Sequence, residues 1–342
     1  MKTYTLPTGY LFTDQYSKGE LETLSIGDYG KRVNVKADFL GFTKEINGVP
    51  NTTCMPLSEK WVMTLSTQYG CVQKCTFCDV PKVRWRGNAS YNDLLMQLRS
   101  ARNLFPDVKY TERLNIHFAR MGEPIFNNAV FEFARWIGEN RMDVQNMLGL
   151  RVEVVHPVLT TSCPVNFSGF SSRLQEWVRI KNDLYNGQAG LQLSINSTCD
   201  AQRDEMFGGS SLSLYEISRA AAALPDPLNR KYCLNFAYSS GYEVDGKYLA
   251  SLFDPERFMC KITPIHNNNA CREHNIQTLH GYSSYTSYRE PEESLKQAGY
   301  DVLVFIPSLD EEHGLVTCGN AVLGGGEVRA KPKMNIEGIA TS

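Results

Sequence analysis

The sequence predicts an α/β fold in which a parallel sheet is covered by helices, either doubly wound or curled into a barrel. Two observations predict it. From residue 61 onward, short apolar runs alternate with segments whose apolar residues recur at helical spacing, the pattern of parallel βαβ units. The 342 residues also hold no internal repeat, no low-complexity tract and no Pro/Gly/Ser linker, so the alternation runs through one unit. Ligands in such folds bind at the carboxyl ends of the strands.

Residues 1–60 stand apart. Gly19, Gly27, Gly30, Gly41 and Gly48 punctuate short alternating runs such as Val33-Asn34-Val35, the composition of a small β-rich N-terminal extension. The main unit is expected over 61–325 and a C-terminal tail over 326–342. Trp61 to Leu65 is the first strong strand, and residues 92–105 then place Leu94, Leu95, Leu98 and Ala101 on one helical face. Leu114 to Ala119 reads as the next strand, followed by a helix bearing Val130, Phe131, Ala134 and Ile137. Arg151 to Thr161 is extended, and Leu174, Trp177 and Val178 mark the helix after it. Leu191 to Ile195 is a strand, and a helix opens at Ser213 with Glu216 at the capping-box spacing. Tyr232 to Tyr238, Met259 to Pro264 and Val302 to Ile306 supply three more strands, with helices near 245–253 and 291–298 between them.

Composition narrows the function classes. The chain is 42% hydrophobic and 21% charged, as in globular proteins that bury a sizeable core. No stretch reaches the roughly 18 to 20 uninterrupted apolar residues of a membrane helix, so no membrane partner is expected. The first residues, Met1 to Pro7, lack the apolar run of a secretory signal, and a cytoplasmic location is the expectation. Thirty-five basic against 37 acidic residues give a net charge of −2, which supplies no global pull toward nucleic acid. Ten cysteines scattered in a long chain are mostly reduced thiols acting as small hydrophobes.

Cys71, Cys75 and Cys78 are different. They follow the first strong strand in the spacing C-x3-C-x2-C, with Phe77 before the last cysteine. Three thiolates on one loop hold three irons of a cubane that normally takes four, leaving one iron open for a small molecule. The alternative is a zinc knuckle completed by Cys54 or a histidine. Other short motifs fall at strand ends. Gly122-Glu123-Pro124 offers backbone carbonyls and a carboxylate to the ammonium of a bound amino acid, glycine permitting the close approach. Thr161, Ser162, Ser194 and Asn268 carry groups that suit ribose and carboxylate recognition, and capping of the following helix is their other reading.

Together these segments resemble the radical S-adenosylmethionine enzymes, and within them the RlmN/Cfr family of RNA adenosine methyltransferases. Ser66-Thr67-Gln68-Tyr69-Gly70-Cys71 is similar to the family's S-S-Q-x-G-C, and Met121-Gly122-Glu123-Pro124 with Asn127 to its M-G-E-P-x-x-N. Thr160-Thr161-Ser162 resembles S-T-S, with Cys163 where glycine is usual. Leu193-Ser194-Ile195-Asn196 resembles L-S-L-H, Lys261-Ile262 with Asn268 the stretch ending in a cofactor-contacting asparagine, and Thr317-Cys318-Gly319-Asn320 the C-terminal A-C-G-Q. The resemblance implies a partial (β/α)6 radical S-adenosylmethionine barrel. It implies a 4Fe–4S cluster on Cys71, Cys75 and Cys78, and S-adenosylmethionine on the open iron near Gly122, Glu123, Pro124, Thr161, Ser162, Ser194, Asn196 and Asn268.

The resemblance further implies reductive cleavage to a 5′-deoxyadenosyl radical, an electron donor such as flavodoxin or ferredoxin, and Cys318 as a methyl carrier. The walls that keep such a radical from water are expected from residues such as Phe77 and Phe118. One departure is plain: the family's second, resolving cysteine is replaced here by Thr64, whose hydroxyl cannot undergo thiol–disulfide exchange. The substrate implied is RNA adenosine, with a smaller nucleotide, metabolite or peptide as the alternative. Lys82, Arg84 and Arg86 around Trp85 form either a phosphate-and-stacking surface or a solvated loop face. The six histidines show no i, i+4 pair, and His313, five residues before Cys318, is either a base near that thiol or a surface residue. Two further readings stay open: radical hydrogen abstraction or rearrangement without a methyl-cysteine, and a non-enzymatic zinc-binding scaffold.

Overall fold

The structure, a computed structural model, describes residues 1–27, 56–307, 309–317 and 319–330, with strand backbone also at 45–46 and 49–50. Much of the expected β-rich extension, Cys54, Cys318 and most of the C-terminal tail lie outside the described residues. Within them, one ten-stranded sheet follows the chain in order. The strands β1 (Lys2–Leu6), β2 (Gly9–Tyr16) and β3 (Gly19–Ile26) form an antiparallel meander. β3 pairs antiparallel with β4 (Lys60–Leu65), Leu24 opposite Thr64. From β4 the sheet is parallel through β5 (Tyr110–Phe118), β6 (Arg151–Thr161), β7 (Gly190–Ser194), β8 (Tyr232–Tyr238), β9 (Phe258–Pro264) and β10 (Val302–Val304). Its first and last strands are not neighbours. The expected parallel α/β array is therefore present and open, and β10 carries it one short strand beyond six.

Helices cover one face. α1 (Tyr91–Asn103) starts on a capping box between Ser90 and Asp93, and α2 (Asn128–Glu139) starts on the Asn127 side chain. α3 (Arg141–Leu148), α4 (Phe170–Tyr185), α5 (Asp200–Phe207) and α6 (Leu214–Ala222) follow, the last with the predicted Ser213–Glu216 box. α7 (Gly246–Leu252), α8 (Asn269–Glu273), α9 (Thr286–Gln297) and α10 (Leu309–His313) complete the described set. α9 begins five residues before the expected start because Pro291, which marks a first helical turn by preference, here lies inside the helix. None of the described helices is long and apolar enough to cross a membrane.

The core between sheet and helices is aromatic. Trp177 of α4 meets Phe118 edge-on at 6.2 Å and Phe131 at 6.0 Å, and its indole N–H donates to the Gly190 carbonyl at 2.9 Å. A buried indole needs such a partner. Trp61 does the same with Ser25 Oγ at 3.0 Å, which ties β3 to β4. Phe118 therefore faces the helices and not the radical chamber expected of it, because strand alternation puts Leu114, Ile116 and Phe118 on one face and Arg113, Asn115 and His117 on the other. That second face lines a cavity of about 660 Å³.

Candidate active site

The loop after β4 is held before any ligand is considered. The Gln97 amide, fully buried, accepts from Ser66 N–H at 2.8 Å, donates to Ser66 C=O at 3.0 Å and accepts from Thr23 Oγ1 at 2.9 Å. Gly70 has φ +75°, and a Cβ there would meet the Val83 carbonyl at 2.6 Å. The far side of the loop sits on α5: Thr76 N–H donates to the Met206 carbonyl at 2.8 Å, and Phe77 packs edge-on against Phe207 at 5.6 Å.

Three half-buried thiols share this loop. Cys71 Sγ accepts from Gln73 N–H at 3.4 Å and takes a second backbone N–H from Gly122. Cys75 lies close enough to Cys71 and Cys78 that each raises its pKa further, burial being the larger cause. Burial likewise pushes the Cys71 thiol up to about 12. Thiols so placed ionise when a metal supplies the compensating charge. Among the described residues no three His, Cys, Asp or Glu side chains converge as on a single metal ion. A cubane takes one thiolate per iron and does not require that convergence. The residues thus fit a cluster on one loop.

Across from the thiols stands Glu123. Gly122 has φ +94°, and a Cβ on it would lie 2.5 Å from Gln68 Cβ, so only glycine brings this turn against the cluster loop. Gln68 Oε1 accepts from Glu123 N–H at 3.0 Å. The Glu123 carboxylate accepts from both the N–H and the hydroxyl of Ser162, each at 2.7 Å, and from Ile125 N–H at 3.2 Å. Burial raises its pKa against those bonds. Pro124 opens the short 3-10 turn that Glu123 caps. Asn127 spans the turn, its amide donating to the Thr67 and Ala89 carbonyls at 2.8 Å each.

Ser162 therefore secures Glu123, and Thr161 Oγ1 accepts from Cys163 N–H at 3.0 Å. Cys163 has φ +60°, a left-handed conformation natural to the glycine usual at this position. Asn196, after β7, is also left-handed at φ +63°, and its Oδ1 accepts from Ala237 N–H at 3.0 Å. Its Nδ2 is buried with no hydrogen-bond partner and belongs to a residue that lines the cavity with Ser194. An orphaned donor at a strand end is the observation that a bound acceptor would satisfy. Asn268 caps α8, accepting from Cys271 N–H at 2.8 Å, while its Nδ2 donates to the Phe77 and Gly319 carbonyls at 2.9 and 3.0 Å.

The segment around position 318 is moored on both sides. Gly319 C=O also accepts from Asp79 N–H at 2.8 Å, and Gly324 lies so near Asp79 that a Cβ would sit 2.4 Å from its carbonyl. Glycine at 324 is what permits this close approach. Two connections were invisible in the sequence. Arg120 forks onto Glu22 Oε1 at 2.6 and 3.0 Å and donates to the Leu315 carbonyl at 2.7 Å. Glu312 takes hydrogen bonds from Tyr282 and from Nδ1 of His266, which lines the cavity, and this draws its pKa down to about 2 against the effect of burial. Arg203, also unforeseen, holds the end of β7 by donating to the Ser194 carbonyl at 3.1 Å and Ser211 Oγ at 2.8 Å.

The remaining sequence candidates are peripheral. Lys82 pairs with Glu273 at 2.9 Å, Arg86 donates to the Lys18 carbonyl at 3.4 Å, and Trp85 is half exposed. The His313 carbonyl accepts from Arg329 N–H at 2.8 Å. Position 64 shares the cavity-side register of Lys60 and Val62 on β4, opposite His117 of β5.

No family model matches the chain. It is 26% identical over 189 residues to the probable dual-specificity RNA methyltransferase RlmN of Desulfitobacterium hafniense, an alignment covering 54% of this chain and 47% of that one. The dual-specificity RNA methyltransferase RlmN of a Sulfurovum species is 24% identical over 203 residues, 57% of this chain and 51% of that protein. The chain thus spans about half the length of the curated relatives it matches. A radical SAM methyltransferase from Sphaerobacter thermophilus superposes with a TM-score of 0.60 over 91% of this chain and 76% of its own, at 16% identity. In sequence the chain resembles the RlmN-like branch of the radical S-adenosylmethionine proteins, and its fold is that of a radical SAM methyltransferase.

Proposed function

We propose that this chain is a radical S-adenosylmethionine enzyme of methyltransferase type, with a 4Fe–4S cluster on Cys71, Cys75 and Cys78. One juxtaposition carries the reading: three thiols of a single loop face Gly122 and Glu123 at the carboxyl ends of adjacent parallel strands. Cluster and cofactor together supply, when bound, an electron and a carbon radical that no side chain provides. The chain's own part is positional. Gln73 and Gly122 N–H groups orient the Cys71 sulfur. Glu123, braced by Ser162, offers charge to the cofactor's ammonium. Asn196 Nδ2 offers a donor to its carboxylate or ribose. Phe77 shields the chamber from water.

Methyl transfer through Cys318 is the finer part of the proposal, supported by the anchoring of the Leu315 carbonyl by Arg120 on one side of it and of the Gly319 carbonyl by Asp79 of the cluster segment on the other. Thr64 on the cavity face means that a thiol at that position does not resolve an adduct here. The substrate is an RNA adenosine or a smaller molecule, and an external donor such as flavodoxin or ferredoxin supplies the electron.

Anaerobic reconstitution with iron and sulfide, then incubation with S-adenosylmethionine and a reductant, tests this. The expected protein is brown with about four irons per chain, forms 5′-deoxyadenosine, and carries a methyl on Cys318 by mass spectrometry. Cys75→Ala keeps the far-ultraviolet circular dichroism and loses iron and 5′-deoxyadenosine. An unmethylated Cys318 with 5′-deoxyadenosine formed selects hydrogen abstraction without a carrier. Colourless protein with one zinc selects the scaffold and ends the proposal.

A further inference from the structure

Two histidines line the cavity, His117 and His266. Burial, and after it the charge of nearby cations, lowers the His117 pKa to about 3, so its ring does not retain a proton at neutral pH. His266 is built differently. It follows Pro264, the last residue of β9, by two positions. Asn268, two further on, donates to the Phe77 carbonyl of the cluster loop at 2.9 Å. His266 therefore stands at the cluster end of the cavity.

Its Nδ1 is committed. Glu312 Oε2 and the Tyr282 hydroxyl both lie within hydrogen-bond reach of it, and the hydroxyl donates to Glu312 Oε2 at 2.8 Å. Asn267 N–H holds the other carboxylate oxygen at 3.1 Å. Counting protons then fixes the tautomer. Against burial, the bonds from His266 and Tyr282 draw the Glu312 pKa down to about 2, so the carboxylate is ionised and only accepts. Burial and the Glu312 charge keep the Tyr282 hydroxyl protonated, and its hydrogen goes to Oε2. Nδ1 therefore carries a hydrogen, and in the neutral ring the lone pair sits on Nε2. Neither Glu312 nor Tyr282 lines the cavity, whereas His266 does, so the Nε2 edge is the one turned to it. A carboxylate on Nδ1 also stabilises the imidazolium formed when Nε2 takes a proton. The other acid near this trio is Glu311, which lines the cavity and acts on Tyr282 through its charge.

We propose that His266 is the proton acceptor of the chamber, taking through Nε2 the hydrogen that the substrate gives up on methylation, with Glu312 and Tyr282 as its positioning residues. This rests on the methyltransferase reading. In the net transfer the sulfonium's carbon–sulfur pair stays on sulfur, and the substrate's pair to hydrogen becomes its pair to the methyl. The hydrogen leaves as a proton, passes to Nε2, and goes from the imidazolium to solvent. The substrate is thereby a molecule methylated at an atom that bears a hydrogen.

The first test needs neither cluster nor substrate. Long-range proton–nitrogen correlation NMR of the full chain with isotope-labelled histidine reads the tautomer, the His266 signals being those missing from His266→Asn. Neutral His266 is expected to carry its hydrogen on Nδ1, and a hydrogen on Nε2 overturns the proposal. The second test is turnover of the reconstituted protein with two probes, an adenosine-containing RNA oligonucleotide and adenosine 5′-monophosphate. Methylated product per 5′-deoxyadenosine formed is expected to fall at least tenfold in His266→Asn, whose amide keeps a donor for Glu312. Added imidazole is expected to restore product in His266→Ala. Product undiminished in His266→Asn overturns the proposal, as does a loss that imidazole leaves unrestored, which assigns the ring a structural role. Product lost in Glu311→Gln and kept in His266→Asn gives the proton to Glu311 and overturns it too. No methylated product from the wild type with either probe counts against the methyltransferase reading, and the tautomer still decides this one.

Discussion

Replacing Arg120 by methionine removes one half of an ion pair that is sealed from water, the side chains of Arg120 and Glu22 being 1% and 0% exposed. Glu22 Oε1 would lose both guanidinium contacts and Oε2 would keep only the Leu323 N–H at 2.7 Å. The Leu315 carbonyl would lose its donor too. Breaking one partner of a buried pair costs about 3–5 kcal/mol, because an uncompensated charge is left behind. Glu22→Leu should cost a similar amount by stranding the guanidinium. The double variant Glu22→Leu/Arg120→Met removes both charges and strands two backbone groups at about 1–3 kcal/mol each, so it should be at least as stable as either single variant. Urea denaturation of all four proteins gives the cycle, with a coupling energy of about 2 kcal/mol or more expected. Additive losses, or an Arg120→Met cost below about 1 kcal/mol, would refute the argument. The pair also joins β3 to the segments on both sides of position 318. In Arg120→Lys, which keeps charge without the fork, Cys318 methylation should fall more than 5′-deoxyadenosine formation does.

Three further outcomes are expected. Gly122→Ala forces a side chain into φ +94° and against Gln68, and should cost at least the roughly 1–3 kcal/mol of backbone strain, lower the melting temperature and reduce iron content by displacing the N–H that faces Cys71. Glu312 has its folded pKa depressed from 4.5 to about 2. Its contribution of about 3 kcal/mol is complete above pH 4.5 and is lost as pH falls toward 2, so acid unfolding of Glu312→Gln should show a shallower slope in that window. Trp177→Ala empties the junction of Phe118 and Phe131 and strands the Gly190 carbonyl. A loss of about 3–5 kcal/mol is expected by chemical denaturation, and a loss below about 1 kcal/mol would contradict the packing described.

What the sequence revealed and what it hid divide along sequence distance. The cysteine loop, the Ser213 box and the strand–helix order are local, and each was readable because its partners lie within a few residues. Arg120 with Glu22 and His266 with Glu312 are 98 and 46 residues apart, and no spacing announces them. Helices such as Asp200–Phe207 are too short to establish a period. One further local signal lies in the strands themselves. A parallel sheet covered by helices on both faces has strands that are apolar throughout. Here Arg113, Asn115 and His117 interleave with Leu114, Ile116 and Phe118, and Lys261 and Thr263 flank Ile262. That alternation is incompatible with a doubly wound sheet, because its polar half would be buried against helices without partners. It requires that one face curl around a chamber able to solvate or neutralise those groups. The choice between doubly wound and curled was therefore already decided by period-two polarity in the strands, and the same residues give the chamber its charge.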